Sequence, residues 1–447
     1  MSSALERRPV VAAVLTAAGA AVATSRTQIL VMTLACLLVL VTLGIRPLAV
    51  ALVAATFVTR FRVGVGGASL LLEHVALVAC AVALVVHDRG PALVAAARDR
   101  TAILFGTFVV WNGAVSAVQA AEPSKSLLIV AWLALDWMML VVLTASVDGP
   151  GALVRPALVC CGVTASVAIA TGVSAHLLGT EFGVSVESVT GAAAVHGLSH
   201  EPNVLGATLA LWAFVAFTSA GYRQSRGNKV VVGLCVVGVL MSLTRAAALG
   251  LTAGVLVWSM VRGRPARRAV AHATGAFALL LAALWLAAPG VAGPVFAKGG
   301  QLVDFGSQTG QVRVDQWMQA VDDLRGGAWL TGLGANAFGQ HHLEPTIPQT
   351  PTPAYLGNLP LQVLYDSGVV GLALLGGVLA SLLSRHRMRD GRAAGLLTVY
   401  ALCALGTSPF WFGTTWVLAA VAVVDRRRAA SRPAPPTTAD VALAGAR

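Results

Sequence analysis

The chain has 447 residues, a net charge of +12 and a pI near 10.3, a balance that alone would admit a nucleic-acid partner. Yet only 11% of its residues are charged, 57% are hydrophobic and the mean hydropathy is +0.79, whereas a soluble domain carries about twice that charged fraction. This composition excludes a soluble globular protein, and the apolar runs are too long and continuous for barrel strands. An all-α polytopic integral membrane protein is predicted, with about 12–14 transmembrane helices, because helices alone then satisfy the backbone in a bilayer.

In chain order the predicted spans are 10–24, 28–44, 47–59, 68–86, 101–120, 127–146, 156–176, 203–220, 229–243, 246–261, 270–288, 360–384, 393–407 and 413–424. Val10–Thr24 follows Arg7 and Arg8 and is soon followed by another apolar run, so it reads as a first membrane segment or interfacial helix rather than a cleavable signal. Basic clusters fall in the short loops at 7–8, 89–100, 223–229, 262–268, 385–392 and 426–428. With both termini cytoplasmic, about 23 of the 31 Lys and Arg lie on the cytoplasmic side. The positive charge therefore marks orientation and implies no nucleic acid. In this topology Glu122–Lys125, the interval 177–202 and the loop 289–359 face outward, with Arg60 and Arg62.

The domain organisation expected is an N-terminal bundle (1–288), a large extracytoplasmic loop (289–359), C-terminal membrane helices (360–425) and a disordered basic cytoplasmic tail (426–447). A polar interval as long as 289–359 is uncommon and is usually functional or disordered. This one carries Trp317, Trp329, Phe338 and Tyr355, and places Val314, Trp317, Val321 and Leu324 on one helical face. It reads as an ordered lid over the bundle. The six cysteines lie in apolar spans without metal-like spacing and are structural.

Ionisable residues in or beside membrane spans are costly, which makes them functional candidates. Glu73, His74 and Asp136 lie inside predicted spans, where pairing between helices is the structural alternative. Arg245, in SLTRAAALGL, sits between two apolar runs at the outer end of a helical hairpin. It either snorkels to the interface or clamps an anion, for which a planar guanidinium is suited. Arg313, in GQVRVDQWMQA, opens the amphipathic helix of the loop, where a helix N-terminus adds its own positive end. Two arginines facing an outer cavity suit a diphosphate head group. GLGANAF beyond them is a glycine-rich turn.

Taken together these segments resemble the bacterial O-antigen ligase and polymerase superfamily, polytopic glycosyltransferases that use polyprenyl-diphosphate-linked glycans outside the cytoplasmic membrane. HEPNVLGATLALW is similar to that family's Pro-Asn segment, here Pro202–Asn203, and SLTRAAALGL to its arginine hairpin, with Arg245 in the arginine place. GQVRVDQWMQAVDDL and WLTGLGANAFG resemble its arginine helix and Gly-x-Gly turn, carrying Arg313, Gly332 and Gly334. GNLPLQVLYDSGVVGLALL resembles the segment returning to the membrane, with Asn358 and Gln362. The resemblance spans 199–383. It implies that Arg245 and Arg313 hold the donor's diphosphate, and that Asn203, Gly332, Gly334, Asn358 and Gln362 line the substrate site.

One departure stands out. Ligases of this family carry His-Asn in the returning segment, the histidine being assigned to activating the acceptor hydroxyl. Here the pair is Gly357–Asn358, and glycine cannot take a proton. His341, His342 and Glu344 near the lid, and Glu201 in the HEPN segment, are the remaining general-base candidates. The resemblance implies transfer or polymerisation of a glycan from a lipid-diphosphate carrier to a glycan or lipid acceptor, polymerase being slightly favoured by the missing histidine. Neither a cofactor nor a metal is expected. A secondary transporter or a flippase for a lipid-linked solute is the alternative.

Overall fold

The computed structural model describes residues 44–65, 68–186, 193–219, 225–287, 293, 308–342, 356–383 and 390–431. The predicted span 10–24, residues 28–43 of the span 28–44, Glu344, and residues 289–292, 294–307 and 343–355 of the loop lie outside the described residues. The chain is an all-α polytopic membrane protein. Among the described residues four helices are long and apolar enough to cross a membrane: α4 (Arg100–Gln119), α5 (Pro123–Ser146), α6 (Gly151–Leu178) and α14 (Leu359–Leu382). Shorter apolar helices pack beside them: α1 (Ile45–Ala55), α2 (Leu72–Val86), α7 (Pro202–Thr218) and α15 (Arg392–Ala404). The bundle also contains α3 (Gly90–Ala97), α8 (Arg226–Met241), α9 (Arg245–Arg262), α10 (Arg264–Ala287) and α16 (Gly413–Ala430).

Two stretches differ from expectation. The predicted span 47–59 is an 11-residue helix, which rises about 16 Å and cannot cross a hydrocarbon core of about 30 Å. After it the chain turns and forms an antiparallel hairpin, β1 (Arg62–Val65) with β2 (Ala68–Leu71). A second hairpin, β3 (Val184–Val186) with β4 (Ala193–Val195), stands within the interval 177–202. Backbone hydrogen bonds between the paired strands satisfy groups that no helix takes up there.

The two ends of the bundle are tied differently. At one end Asp99 caps α4 through Thr101 N, 2.9 Å away, and takes Arg426 Nη2 at 2.6 Å and Arg427 Nε at 3.5 Å. Burial works to raise the Asp99 carboxyl, but these hydrogen bonds and charges outweigh it and hold the group below the usual carboxylate range. Arg426 also donates to Ser381 O and Thr101 Oγ1. The expectation of a disordered tail over 426–447 is therefore corrected for its first residues, 426–430, while 432–447 lie outside the described residues. Helix α16 runs on to Ala430 because its arginines are fastened to α4 and α14.

At the other end lie the described helices of the loop, the lid: α11 (Gln308–Asp323), α12 (Ala328–Thr331) and α13 (Ala337–His342). It closes over a break in α14 at Gly368, whose φ of 66° and ψ of −170° interrupt the helix. Carbonyls freed there find donors outside α14. Leu333 N donates to Tyr365 O at 2.8 Å, Gly334 N to Asp366 O at 3.0 Å, and Trp111 Nε1 to Ser367 O at 2.8 Å. Contact is close enough that a Cβ on Gly368 would fall 2.2 Å from Leu330 O. A second close approach joins α9 to α15, where a Cβ on Gly254 would fall 2.6 Å from Gly395 O. Gly368→Ala therefore meets both a left-handed backbone and a carbonyl. We expect a cost of at least about 1–3 kcal/mol, read as a lowered Tm of the detergent-purified protein; an unchanged Tm would refute the interlock.

Candidate functional site

Three helix starts meet beneath the lid. Glu201 precedes α7, Thr244 precedes α9 with Arg245 its first residue, and Asn358 precedes α14. Thr244 Oγ1 donates to Pro202 O at 3.1 Å, and a Cβ on Gly206 would fall 2.8 Å from Ser242 Oγ. These contacts fix the starts of α7 and α9 side by side. Gly406, just beyond α15, packs on the first turn of α9: its Cβ would lie 2.5 Å from Ala246 Cβ. Arg313 reaches the same place from α11, Nη1 donating to Gly406 O at 3.1 Å.

Gly357 completes the meeting point. Its φ is +63°, and a Cβ there would lie 3.4 Å from Arg313 Cζ. Thus the position without a proton-accepting side chain is one against which the Arg313 guanidinium lies. Arg245 and Arg313 are both half-buried. Aligned peptide dipoles leave the helix starts partially positive, so the two guanidinium-bearing residues stand where the backbone already favours an anion.

The other predicted residues separate into groups. Asn203 and Glu201 are half-buried at the start of α7, beside the arginine hairpin. Asn358 caps α14, its Oδ1 accepting from Leu361 N at 3.2 Å. Gln362 is buried, its Oε1 accepting from Leu356 N and its Nε2 donating to Asp366 Oδ2, both at 2.8 Å. Gly332 and Gly334 have positive φ; a Cβ on Gly332 would fall 2.4 Å from Ser367 N at the α14 break, and one on Gly334 would fall 2.7 Å from Ala120 Cβ at the end of α4. Asn358, Gln362 and the two glycines thus hold the lid and the start of α14 in place, with their polar bonds made within the protein.

His341 and His342 belong to a separate cluster. His341 Nδ1 is 3.0 Å from Tyr365 Oη, His342 Nε2 is 2.5 Å from Asp323 Oδ2, and Tyr365 Oη donates to the same carboxylate oxygen at 2.6 Å. Asp323 ends α11, ten residues beyond Arg313, so along the helix the cluster lies about 15 Å from the arginine. Below it Ala320, Leu324, Ala337, Phe338, Leu356 and Tyr365 form a small apolar core. Trp317 packs there and donates to Leu356 O at 2.8 Å. Val321, expected on the buried face, is 55% exposed; Ala320 takes the inner place between Trp317 and Leu324 through the i, i+3, i+7 spacing.

Glu73, His74 and Asp136 are all buried. The Glu73 carboxyl faces the Gly413 backbone N–H, and Asp136 lies close to Glu73 and Trp416. Residues the sequence did not single out are Asp323, Tyr365 and the turn Gly406–Ser408. In LGTSPF a Gly-Thr-Ser-Pro run between apolar spans signals a loop and nothing more.

Residues 230–376 match the family model Wzy_C, O-antigen ligase. Across this segment, roughly a third of the chain, the protein resembles the O-antigen ligase and polymerase superfamily. The match contains Arg245, Arg313, the lid and the break of α14, but neither Asn203 nor the turn at Gly406. No curated protein matches the chain.

Asp323 yields a pH prediction. Burial works to raise its carboxyl, but hydrogen bonds from His342 and Tyr365 and the charges of His342 and His341 outweigh it and hold the group below the usual range. A depressed folded value means stability present above the ordinary carboxylate pKa of about 4 and lost as pH falls through the folded value. The Tm of the wild type should therefore drop more steeply below about pH 4 than that of Asp323→Asn. The variant should already show faster proteolysis of 308–342 at neutral pH, and matching acid profiles would remove this role.

Proposed function

From the O-antigen ligase match over residues 230–376, we propose that the protein transfers or polymerises glycan from a polyprenyl-diphosphate carrier during surface polysaccharide assembly. The observation supporting this most is the meeting of Arg245, Arg313 and three helix starts at Gly406 and Gly357. In this reading the lid faces the extracytoplasmic side, both termini are cytoplasmic, and the end fastened by Asp99 and Arg426 is the cytoplasmic one. The prenyl chain lies against the apolar bundle, and the diphosphate sits between the arginines.

The reaction is a displacement at the anomeric carbon. An acceptor hydroxyl attacks, a new glycosidic bond forms, and the bond to the lipid diphosphate breaks with its electrons passing to the phosphate oxygen. Arg245 and Arg313 stabilise the charge gained there, an effect strongest in a site shielded from water. The acceptor's proton goes to a base. Among the described candidates Glu201 is the nearest to the arginines, because it precedes Pro202, whose carbonyl is bonded to Thr244. His341 and His342 lie farther off, engaged with Tyr365 and Asp323. The absence of an imidazole at Gly357 favours a polymerase, which joins lipid-linked repeats, over a ligase with a distinct acceptor.

Arg313→Ala and Arg245→Ala should each reduce glycan transfer about 100-fold or more, and Arg313→Lys should restore little, since an ammonium lacks the planar fork. The measurement is the size distribution of surface glycan and of the lipid-linked pool in a deletion strain carrying each variant, with membrane levels checked. Single repeats accumulating on the lipid identify a polymerase; long chains stranded on the lipid identify a ligase. Intact transfer in Arg313→Ala would end the clamp, and solute movement without a new glycosidic bond would identify a transporter.

A further inference from the structure

The turn that receives Arg313 carries two side-chain hydroxyls that bond to none of the described residues. Thr407 is 1% exposed and Ser408 is fully buried, and neither Thr407 Oγ1 nor Ser408 Oγ has a hydrogen-bond partner among the described residues. Their backbones are ordinary: Thr407 N donates to Cys403 O at 2.9 Å, and Ser408 O accepts from Trp411 N at 3.2 Å. Burying a hydroxyl without a partner is destabilising, and most buried polar groups avoid it. Neighbouring threonines show the usual remedy, Thr415 donating to Pro409 O at 2.7 Å.

The place of these hydroxyls says what would satisfy them. Gly406 O, one peptide unit from Thr407, accepts from Arg313, and Gly406 packs on Ala246 beside Arg245. A hydroxyl can give its proton to a phosphate oxygen, and oxygens bound to two guanidinium groups have lone pairs left to accept it. We propose that Thr407 and Ser408 are positioning residues for the anion, donating to the phosphate oxygens of the diphosphate that Arg245 and Arg313 attract. This rests on the reading of those arginines given above. It adds a turn outside the matched residues 230–376.

Isosteric replacement separates a binding role from a structural one. If the hydroxyls serve no ligand, Thr407→Val and Ser408→Ala remove only unsatisfied groups and should leave stability unchanged or raised. If they bind phosphate, each change should weaken binding about tenfold or more, as losing a hydrogen bond to a charged group does. The probes are inorganic pyrophosphate and farnesyl diphosphate, titrated into the full-length protein in detergent by calorimetry, with Tm recorded for every variant.

We expect tenfold weaker binding of both probes in Thr407→Val and in Ser408→Ala at unchanged or higher Tm, with Thr407→Ser close to wild type. Weakening confined to farnesyl diphosphate would still support the site, for a lipid-borne group. Should Thr407→Val fail to fold, Ser408→Ala decides. Wild-type affinity in that variant overturns the proposal. Loss of binding in Arg313→Ala, with Thr407→Val and Ser408→Ala unaffected, overturns it while leaving the arginine reading intact. A wild-type protein that binds neither probe overturns both.

Discussion

A carbonyl released from a helix in an apolar bundle must find a donor, because no water is at hand to replace it. That constraint governs the lid end of this protein. The bend at Gly368 frees groups around Tyr365, Asp366 and Ser367, and their donors come from the Gly-x-Gly turn and from Trp111. The lid is consequently part of the membrane fold rather than an appendage. Its polar sequence is tolerated because its own backbone is what the broken helix requires.

Electrostatics add a second, opposing demand. Helix starts are partially positive, and a guanidinium beside one is normally placed at the wrong end. Here Arg245 opens α9, and Arg313 lies against the residue just ahead of the α14 cap. Part of that cost is offset by Gly406 O, a carbonyl just past the end of α15, where the helix dipole is negative.

Several of these features were legible in the residues alone. The length of the apolar runs predicts the membrane bundle, and Arg245 stands out because a charge between two such runs is expensive. Gly406, which packs on the neighbouring Ala246 and accepts from Arg313, does not stand out, since a turn in LGTSPF carries no sign of what it faces. Gly368 is equally silent: glycine in a membrane helix is common, and only the carbonyl of Leu330 pressing on it reveals a break. Val321 was misplaced because two residues one position apart satisfy nearly the same helical spacing, and packing alone selects Ala320. The tail from Arg426 looked disordered because its anchor, Asp99, lies more than three hundred positions away.

The glycine contact between α9 and α15 has a mechanical meaning. Gly254 and Gly395 bring the two backbones together so closely that these helices must travel as one body. One of them, α9, begins with Arg245, and the other ends just before Gly406, whose carbonyl accepts from Arg313 of the lid. The glycine seam and the interlocked lid together set where the two arginines stand, so a change at Gly254 or Gly395 would be felt at the far ends of both helices.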